Sequence, residues 1–499
     1  MDRGGRAVFG SSQGTERLVS ARALMLQGTG SDVGKSVLTA GLCRAFANRG
    51  LKVLPFKAQN MSNNAAVAEG GGEIGRAQHL QALAARAVPS VHMNPVLLKP
   101  ESDTGAQIIV QGKPWGRAEA DTYQKHKAEL FAYVMESFGR LKAEADLVLV
   151  EGAGSPAEVN LRATDIANMG FALPADVPVV LVGDINRGGV IAAITGTHQL
   201  LPEAERALVC GVIINQFRGD VRLFDGGLKI IEEMTHWPCF GVVPFLRSIK
   251  DLPAEDAVVL EKHTQKQKGT LRIAVPLLPR IANFDDLDPL RAEEGVEVVI
   301  VPPGQPLPRD AHLIIIPGSK ATIADLRFLK AEGWHHDIHA HVRAGGFVLG
   351  LCGGYQMLGQ HVADPLGVEG TRADEEGLGL LEVSTFLQAQ KSVQTVTAEA
   401  FGARVEGYEI HTGITKGEAI SLTAAGEHVL GHRSKNGRVM GTYIHGLFAK
   451  GAFRKAFLGH IGHDSCGSDF DEKVDDALDA LADALEKHLD LDALYAASR

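Results

Sequence analysis

The 499-residue sequence predicts an α/β protein made of two successive units, each a parallel sheet covered by helices. Short apolar runs that end in glycine or polar turns alternate with helix-like stretches along most of the chain. Continuous apolar strands of this kind are typical of parallel sheets that are buried on both faces. A charged segment, 251–270, interrupts the alternation, and a new strand-like run opens at Leu271. We therefore expect a linker at 251–270 between the two units.

The first unit is expected at 23–250 and the second at 271–465. Strands are predicted in the first unit at 23–27, 147–150, 179–182 and 212–215, and helices at 35–48 and 124–142. Strands are predicted in the second unit at 296–301, 312–316 and 347–351. Strands and helices thus alternate in both units. The sequence contains no short internal repeat.

The two ends of the chain differ from this pattern. Residues 1–22 carry charge and glycine but no apolar core segment, so we expect a loose extension and not a secretory signal. Residues 466–499 form an acidic C-terminal segment with leucines at helical spacing. We expect one terminal helix over 471–495 that packs one face on the body of the protein.

Composition limits the class of function. The formal net charge of -10 disfavours neutralisation of nucleic-acid phosphates and docking on anionic lipid. No apolar run reaches the length of a bilayer span. The sequence has five cysteines, an odd number, which lie far apart and form no CxxC motif. This pattern fits reduced thiols in a cytoplasmic protein. The oligomeric state, a homo-oligomer included, stays open.

A glycine-rich segment, GTGSDVGKS, follows the first strand-like run and opens a helix-like stretch. This is the context that a P-loop requires, since loop N–H groups and a helix N-terminus bind phosphates. Lys35 would reach the terminal phosphates, and the Ser36 hydroxyl would bind Mg²⁺. Thr29 stands where the usual spacing expects glycine, and a chance GKS in a turn is the alternative. The predicted nucleotide-binding residues of this loop are Gly28, Thr29, Gly30, Gly34, Lys35 and Ser36.

Charged residues at the ends of predicted strands are candidates for binding Mg²⁺ and phosphate. Glu151 follows the strand LVLV, Asp184 ends VVLVGD, and Lys57 follows VLPF. Ligands gather at the carboxyl ends of strands in open α/β sheets, so this position favours Glu151 and Asp184 over ordinary solvated loop residues. Glu73, in GGGEIGRAQ, has weaker support from position alone.

A cysteine corner, GFVLGLCGGYQMLG, has the shape of a nucleophile elbow. Cys352 lies where an apolar strand ends, with Gly350 before it and two glycines after it, and a helix N-terminus favours its thiolate. The Gly353 N–H is expected to be one oxyanion donor. A second is expected from PGS in IIIPGSKAT, with Gly318 as the candidate.

The elbow needs a base, and nineteen histidines offer many candidates. His445 stands out because it follows an apolar run in GTYIHGLF, although composition alone could not choose it. The histidine-rich stretch WHHDIHAHV lacks HExxH and any nearby cysteine, so an exposed helix is preferred to a zinc site. A thiolate with an oxyanion hole performs acyl transfer. With an ATP site, the simplest joint chemistry is an amidation.

Several long motifs in order resemble the cobyric acid synthase family of cobalamin-pathway amidotransferases. The resemblance covers nearly the whole chain after about residue 22. GTGSDVGKS with Glu151 is similar to a dethiobiotin-synthetase-like ATPase domain, and GFVLGLCGGYQMLG with PGSKATIADL and GTYIHGLF to a class I glutamine amidotransferase domain of flavodoxin-like fold. The more specific motifs are QNMSNNA, GGEIGRAQ, MNPVLLKP, EGAGSPAEVNL, DINRGG and PRIANFDDLDPL.

The resemblance implies amidation of the b, d, e and g propionates of adenosylcobyrinic acid a,c-diamide, with L-glutamine as the nitrogen donor and ATP and Mg²⁺ as cofactors. Cys352 would attack glutamine and His445 would act as base and then acid. Ser36, Glu73 and Glu151 match metal positions, which strengthens Glu73. DINRGG adds Asp184, Asn186 and Arg187 as candidates for phosphate or substrate contacts. GYEIHTG, 407–413, is expected near the glutaminase site or the domain interface.

One position departs from many class I glutaminases. Leu447 occupies the place, two residues after the histidine, where those enzymes have a glutamate. Another group must therefore orient His445, or the site works as a Cys-His dyad. We expect glutaminase activity to be low until the acceptor is bound, and equal rates of glutamine hydrolysis with and without acceptor would contradict this.

Three rival interpretations remain open at this point. The sister enzyme that amidates the a and c acetates shares both domains. The motifs MNPVLLKP, EGAGSPAEVNL and DINRGG favour the enzyme that amidates the propionates over this sister enzyme. A P-loop switch with a non-catalytic second domain has no need of a strained thiol at Cys352. A peptidase built on the same elbow leaves the P-loop unexplained.

Overall fold

A computed structural model describes residues 21–101, 105–246, 252–253, 269–426 and 428–499. The expected extension 1–22, apart from its last two residues, and most of the expected linker 251–270 lie outside the described residues. None of the described helices combines the length and apolarity needed to cross a bilayer.

The first unit contains the described strands β1–β12 and helices α1–α7. The strands are Arg22–Gly28, Val53–Phe56, Gln59–Met61, Ala65–Val67, Glu73–Gly75, Val96–Pro100, Gly105–Val110, Lys113–Glu119, Leu147–Glu151, Val179–Asp184, Val209–Phe217 and Cys239–Pro244. The helices are Lys35–Asn48, Arg76–Ala84, Ala120–Glu144, Met169–Ala172, Val190–Leu200, Glu203–Arg206 and Asp225–Thr235. Short 3-10 turns lie at Val91–Met93, Val159–Thr164 and Val221–Phe224.

The core of this unit is a six-stranded sheet in the order β12-β11-β10-β1-β9-β2. Every pairing in it is parallel, and the strands β1, β9 and β10 are buried almost throughout. The apolar runs thus form a parallel sheet buried on both faces, as predicted. The carboxyl ends of β1 and β9 lie side by side, since Leu26 pairs with Glu151. The glycine-rich loop and Glu151 are therefore neighbours.

A small four-stranded sheet, β3-β6-β7-β8, and the ribbon β4-β5 are additions to this core. They carry the motifs QNMSNNA, GGEIGRAQ and MNPVLLKP. Side chains of this layer form an apolar cluster with residues of the second unit. Its buried members are Ala65, Val67, Leu97, Ile109, Tyr408 and Ile410.

The second unit contains strands β13–β25 and helices α8–α12. The strands are Leu271–Pro276, Ile281–Ala282, Val296–Val301, Leu313–Ile316, Gly318–Ser319, Phe347–Leu351, His361–Asp364, Ala373–Glu376, Val383–Ala400, Ala403–Gly417, Ile420–Ala425, His428–Arg433 and Val439–Thr442. The helices are Asp288–Arg291, Thr322–Ala331, Trp334–Arg343, Gly353–Met357 and Gly451–His460. A 3-10 turn, Phe284–Leu287, precedes the first of them.

This unit is built on a mixed sheet in the order β15-β13-β16-β18-β25-β24-β23-β21-β19-β20, with β22 paired to β21. The first five strands are parallel, and antiparallel pairing starts at β24. Together the two sheets with their covering helices confirm the predicted fold class, two successive α/β units. The long antiparallel strands β21 and β22 extend the sheet beyond what the apolar runs predicted.

The C-terminal segment returns to the first unit. It forms two helices, α13 at Phe470–His488 and α14 at Leu491–Ala497, so the prediction of one helix was wrong. Leu489 is extended and bridges to Gly241, and Asp490 caps the second helix by accepting a hydrogen bond from the Ala493 N–H at 2.9 Å. The apolar face of α13 packs against α1, next to the glycine-rich loop.

Candidate active sites

The glycine-rich loop wraps around the ammonium group of Lys35. Lys35 Nζ donates to the carbonyl oxygen of Gly30 at 3.0 Å and to that of Gly154 at 3.1 Å. Gly34 has φ +92, a conformation that side-chain-bearing residues rarely adopt, so glycine is required where α1 begins. Thr29 donates its N–H to the carbonyl oxygen of Val182 at 2.9 Å, which ties the loop to β10.

Glu151 is the centre of a polar cluster beside this loop. Its Oε1 accepts from Ser36 Oγ at 2.7 Å and from Lys57 Nζ at 2.9 Å, and its Oε2 accepts from Gln81 Nε2 at 2.6 Å. The carboxylate is 1% exposed and ion-paired to Lys57. A hydroxyl and a carboxylate in contact are the hard oxygen donors that Mg²⁺ takes beside a phosphate, so Ser36 and Glu151 fit that ion.

A cleft of about 840 Å³ opens above this cluster. Gly34, Lys35, Ser36, Lys57 and Glu151 all line it. Its walls also include cationic, acidic and apolar side chains from later elements, a mixture suited to a large polar and apolar ligand. These are Lys127, Leu161, Arg162, Asp165 and Phe245.

The residues of DINRGG lie at one side of the loop. Asp184 Oδ1 accepts from the Asn186 N–H at 2.8 Å, and Arg187 bridges Asp184 and Asp32 at 3.3 Å each. Asp32 lines the cleft, whereas Asp184, Asn186 and Arg187 do not, and of these three only Arg187 contacts Asp32. Their role in phosphate or substrate contact stays a prediction.

Glu73 does not line the cleft. It is fully buried where the two units meet, with Lys99 Nζ at 2.7 Å and an ion pair to Lys391 of the second unit. Burial would raise the pKa of Glu73, but the two ammonium groups lower it to about 2. The surroundings of Glu73 thus differ from those of Glu151, and they favour a structural ion cluster over a metal ligand.

The cysteine corner has the strained backbone of a nucleophile elbow. Cys352 has φ 50 and ψ -106 between β18 and the short helix at Gly353–Met357. Close packing leaves no room for a side chain at the glycines around Cys352. A β-carbon at Gly354 would lie 2.1 Å from the Ile316 carbonyl oxygen, and one at Gly350 would lie 2.5 Å from the Gly354 carbonyl oxygen. The sequence GLCGG therefore folds into a corner that presents one thiol.

His445 reaches the thiol because β18 and β25 are neighbouring parallel strands. Cys352 follows β18 directly and His445 follows β25 by three residues, so the two side chains lie close enough to interact electrostatically. His445 Nδ1 lies 2.6 Å from Asp286 Oδ2, and the Gly446 N–H donates to Asp286 Oδ1 at 2.6 Å. All three side chains are buried.

The protonation state of His445 is set by Asp286 and Cys352, the two side chains beside it. Burial would lower the pKa of His445, but the Asp286 carboxylate and Cys352 raise it to about 10. The imidazole therefore holds its proton at neutral pH and can deliver it to a leaving group. Asp286 is the group that orients His445. The sequence did not identify this group, because Leu447 occupies the position where many class I glutaminases have a glutamate.

The two glycines expected to build the oxyanion hole lie against the trio. A β-carbon at Gly318 would lie 3.2 Å from His445 Cε1, and one at Gly353 would lie 3.0 Å from the Ser319 nitrogen. The loop from IIIPGSKAT thus lies next to the elbow. Which N–H groups face an oxyanion stays a prediction.

GYEIHTG lines the same site from β22. The Cys352 thiol contacts the Ile410 carbonyl oxygen at 3.5 Å, Tyr408 stacks on His445, and the Thr412 carbonyl accepts from Gln356 Nε2 at 3.0 Å. The expectation that this motif lies near the glutaminase site or the domain interface fits both places, because Tyr408 also belongs to the apolar cluster between the units.

Two site residues were missed by sequence reasoning. Asp286 lies in PRIANFDDLDPL, where paired aspartates before a short helix could be taken for a polar turn. Gln81 lies inside α2, where a polar residue on a helix gives no signal of its own. Their contacts to His445 and Glu151 join elements that are far apart in the chain.

The histidine-rich helix Trp334–Arg343 is amphipathic and not fully exposed. Trp334 and Ile338 are buried, and Trp334 Nε1 donates to the Gln305 carbonyl at 2.7 Å. Within the described ranges, no group of three or more histidine, cysteine or acidic residues is arranged to hold a metal ion.

Comparison with known families matches both units. Residues 24–259 match the CobQ/CobB/MinD/ParA nucleotide binding domain, and residues 272–453 match the CobB/CobQ-like glutamine amidotransferase domain. The first model contains the glycine-rich loop and Glu151, and the second contains Cys352 and His445.

Curated relatives match the chain over nearly its whole length. A cobyric acid synthase of Brucella suis is 58% identical over 480 residues, covering 95% of this chain and 99% of the relative. The chain belongs to the cobyric acid synthase family. Another member, from Sinorhizobium fredii, is 60% identical over 474 residues, with 94% and 98% covered. With its amidotransferase domain, this member of the family is a glutamine-dependent amidoligase with a nucleotide-binding domain.

Solved structures add little to this assignment. The MinD cell division protein of Aquifex aeolicus is 16% identical with a TM-score of 0.27, covering 46% of this chain and 85% of that one. The cobyric acid synthase relatives and the two domain matches are what show the family of this chain.

Proposed function

We propose that the protein amidates the b, d, e and g propionates of adenosylcobyrinic acid a,c-diamide to give cobyric acid, using ATP and L-glutamine. The observation that carries this proposal is the combination, in one chain, of a Cys352–His445–Asp286 site and a Ser36–Glu151 phosphate-loop site. The first is suited to release ammonia from an amide, and the second to activate a carboxylate. The family of the curated relatives supplies the acceptor.

In the glutaminase half, the Cys352 thiolate attacks the side-chain amide carbon of glutamine. The carbon–nitrogen bond then breaks, His445 gives its proton to the leaving nitrogen, and a glutamyl thioester and ammonia result. Water, deprotonated by His445, hydrolyses the thioester to glutamate, and the sulfur leaves as the thiolate while His445 is again protonated. Asp286 holds the imidazole so that one ring nitrogen faces the thiol throughout.

In the synthetase half, Lys35 and the loop N–H groups bind the phosphates of ATP at the N-terminus of α1. Ser36 and Glu151 would hold Mg²⁺, which supplies charge that offsets the negative oxygens during phosphoryl transfer. A propionate oxygen attacks the γ-phosphorus, ADP leaves, and an acyl phosphate forms. Ammonia then attacks the acyl carbon, and inorganic phosphate leaves with the carbon–oxygen bond electrons.

The acceptor fits the cleft better than a small carboxylic acid would. Its volume of about 840 Å³ is at the upper end of ordinary ligand pockets. Exposed apolar side chains line its mouth, Met61 and Leu161 among them, beside the charges of Arg162 and Lys127. A flat macrocycle with a carboxylate rim presents both kinds of surface.

Mass spectrometry of adenosylcobyrinic acid a,c-diamide, incubated with the protein, MgATP and glutamine, tests the proposal. We expect four successive amidations. They should stop in Cys352→Ser with glutamine and return when free ammonia replaces glutamine. Conversion of the undiamidated acid alone would reassign the protein to the sister reaction at the a and c acetates. Amidation of neither acid would contradict the proposed acceptor.

A further inference from the structure

Four consecutive residues of the second unit, Asn283–Asp286, lie between the first unit and the catalytic histidine. Asn283 Nδ2 donates to the Ala65 carbonyl at 2.7 Å, and the Phe284 N–H donates to Asn64 Oδ1 at 3.4 Å. Asp285 Oδ2 pairs with Arg76 Nε at 3.1 Å. Asp286, the fourth residue, bonds His445. Three residues of this segment are thus fixed by the first unit, and the next one fixes the histidine.

The Arg76–Asp285 pair is shielded from water. The Asp285 side chain is 3% exposed and that of Arg76 is 20% exposed. Burial raises the pKa of Asp285, and the Arg76 guanidinium opposes that rise. Without Arg76, the charge of Asp285 would be uncompensated one residue from Asp286. Asp285 would then no longer hold the backbone next to Asp286 in place. Because Asp286 orients His445, the orientation of the imidazole would be lost as well.

Arg76 is also the first residue of α2, whose other contacts reach the nucleotide site. Gln81, five residues later, donates from Nε2 to Glu151 Oε2 at 2.6 Å and to the Ser36 carbonyl at 3.3 Å. At a rise of about 1.5 Å per residue, the two ends of this link are only about 8 Å apart along the helix. A ligand that takes Glu151 Oε2 would compete with the hydrogen bond from Gln81, whereas one on Oε1 would compete with those from Ser36 and Lys57.

We propose that Arg76 is a positioning residue through which the nucleotide-binding domain sets the geometry of the glutaminase, so that nucleotide at Glu151 alters the reactivity of Cys352 through α2. The inference rests on the proposed function for the identity of the two sites. It requires that the nucleotide change the contacts at Glu151, since a ligand shifts an equilibrium only by its differential interaction with two states.

The simpler alternative is that Arg76–Asp285 is an ordinary salt bridge that only holds the two units together. Loss of such a bridge would lower stability but would leave the response of the thiol to nucleotide intact. The reactivity of Cys352, measured with and without MgATP, therefore separates the two interpretations. It also needs neither glutamine nor the corrinoid acceptor.

The experiment measures the rate at which iodoacetamide alkylates Cys352 in the full chain, resolved by peptide mass spectrometry. We expect MgATP to raise this rate by roughly tenfold in the wild-type protein, within the usual range of coupling between sites. Arg76→Gln should lower the basal rate and abolish the response, and Arg76→Lys should keep part of it. Arg140→Gln, on the exposed face of α3, is the matched control and should respond as the wild type does.

A response that survives in Arg76→Gln, or no response in the wild-type protein, would overturn the inference. If Arg76→Gln does not fold, Asp285→Asn removes the same ion pair from the other side and should give the same loss. Amidation of adenosylcobyrinic acid a,c-diamide with free ammonia is measured in parallel. Its absence in the wild-type protein would count against the proposed function, while the alkylation rates would still decide the role of Arg76.

Discussion

His445 Nδ1 and Asp286 Oδ2 lie 2.6 Å apart, although 159 residues separate them in the chain. Both side chains are buried, and the second oxygen of the carboxylate accepts the Gly446 N–H. The carboxylate thus fixes both the ring and the backbone that carries it. This contact replaces the glutamate that many class I glutaminases place two residues after the histidine.

Asp286→Asn should shift the pH dependence of the glutaminase. The carboxylate helps to raise the pKa of His445 from 6.5 to about 10, so its removal must lower that value. The wild-type protein should keep the imidazolium proton until the pH approaches about 10, and the variant should lose it nearer neutrality. We also expect kcat to fall by roughly 100-fold or more, because general acid–base catalysis is impaired.

The measurement is the pH profile of glutamine hydrolysis by both proteins. Amidation with free ammonia serves as the control, because it does not use the imidazole and should be unchanged. An alkaline limb at the same pH in both proteins would show that Asp286 does not govern the protonation of His445.

Gly354→Ala should remove glutaminase activity without affecting the synthetase half. The new β-carbon would lie 2.1 Å from the Ile316 carbonyl oxygen, so the elbow must move away from β16 and carry Cys352 with it. Glutamine-dependent and ammonia-dependent amidation are compared in the variant. Gly196→Ala, in α5, is the control, since its β-carbon would meet no atom within 4 Å. Retained glutamine use in Gly354→Ala would contradict the packing argument.

Gly41→Ala should destabilise the protein, whereas Gly139→Ala should stabilise it. At Gly41 the β-carbon would lie 2.6 Å from Leu485 Cδ1 and 2.7 Å from Leu481 Cγ, so α13 could no longer pack closely on α1. Overpacking of this kind costs about 1–3 kcal/mol. Gly139 lies in α3 with open space around it, and alanine there should gain about 0.5–1 kcal/mol.

Urea unfolding of the two alanine variants, followed with the same probe, measures both effects. The opposite signs are the informative outcome, because a general effect of helix propensity would move both variants in the same direction. Equal stabilisation of the two would show that the C-terminal helix does not pack tightly on α1.

Glu73→Gln should cost about 3–5 kcal/mol of folding free energy, because it leaves Lys99 and Lys391 facing each other in a buried site without a carboxylate. Lys391→Met should cost much less, since Lys99 and Glu73 remain paired. The pKa of Glu73 is lowered to about 2, so its charge stabilises the native state above the ordinary glutamate range. The difference between wild type and Glu73→Gln should therefore shrink as the pH falls towards about 2.

Denaturant unfolding at several pH values tests this prediction, and MgATP binding is measured on the same two variants. A loss of MgATP affinity in Glu73→Gln, without loss of stability, would restore the metal role that the sequence suggested for Glu73. Loss of stability with unchanged affinity would support the ion cluster.

Local patterns in the sequence determined much of the site. The strand, glycine loop and helix around Lys35 and Ser36 are consecutive in the chain, as are the strand, corner and helix around Cys352. Each pattern fixes a local backbone shape, because glycine permits the strained conformations that the turn needs. Glu151 was predictable as well, since strand ends in a parallel sheet lie on one edge.

Only the tertiary structure decided how distant elements meet. Nothing local to PRIANFDDLDPL distinguishes Asp286, which reaches His445, from Asp285, which reaches Arg76 of the other unit. The spacing of leucines predicted a helical C-terminus but not that α13 would cover α1, and GGEIGRAQ did not reveal the lysines around Glu73. Such contacts depend on the packing of whole layers, because local sequence specifies which face of an element is apolar but not the face that it will meet.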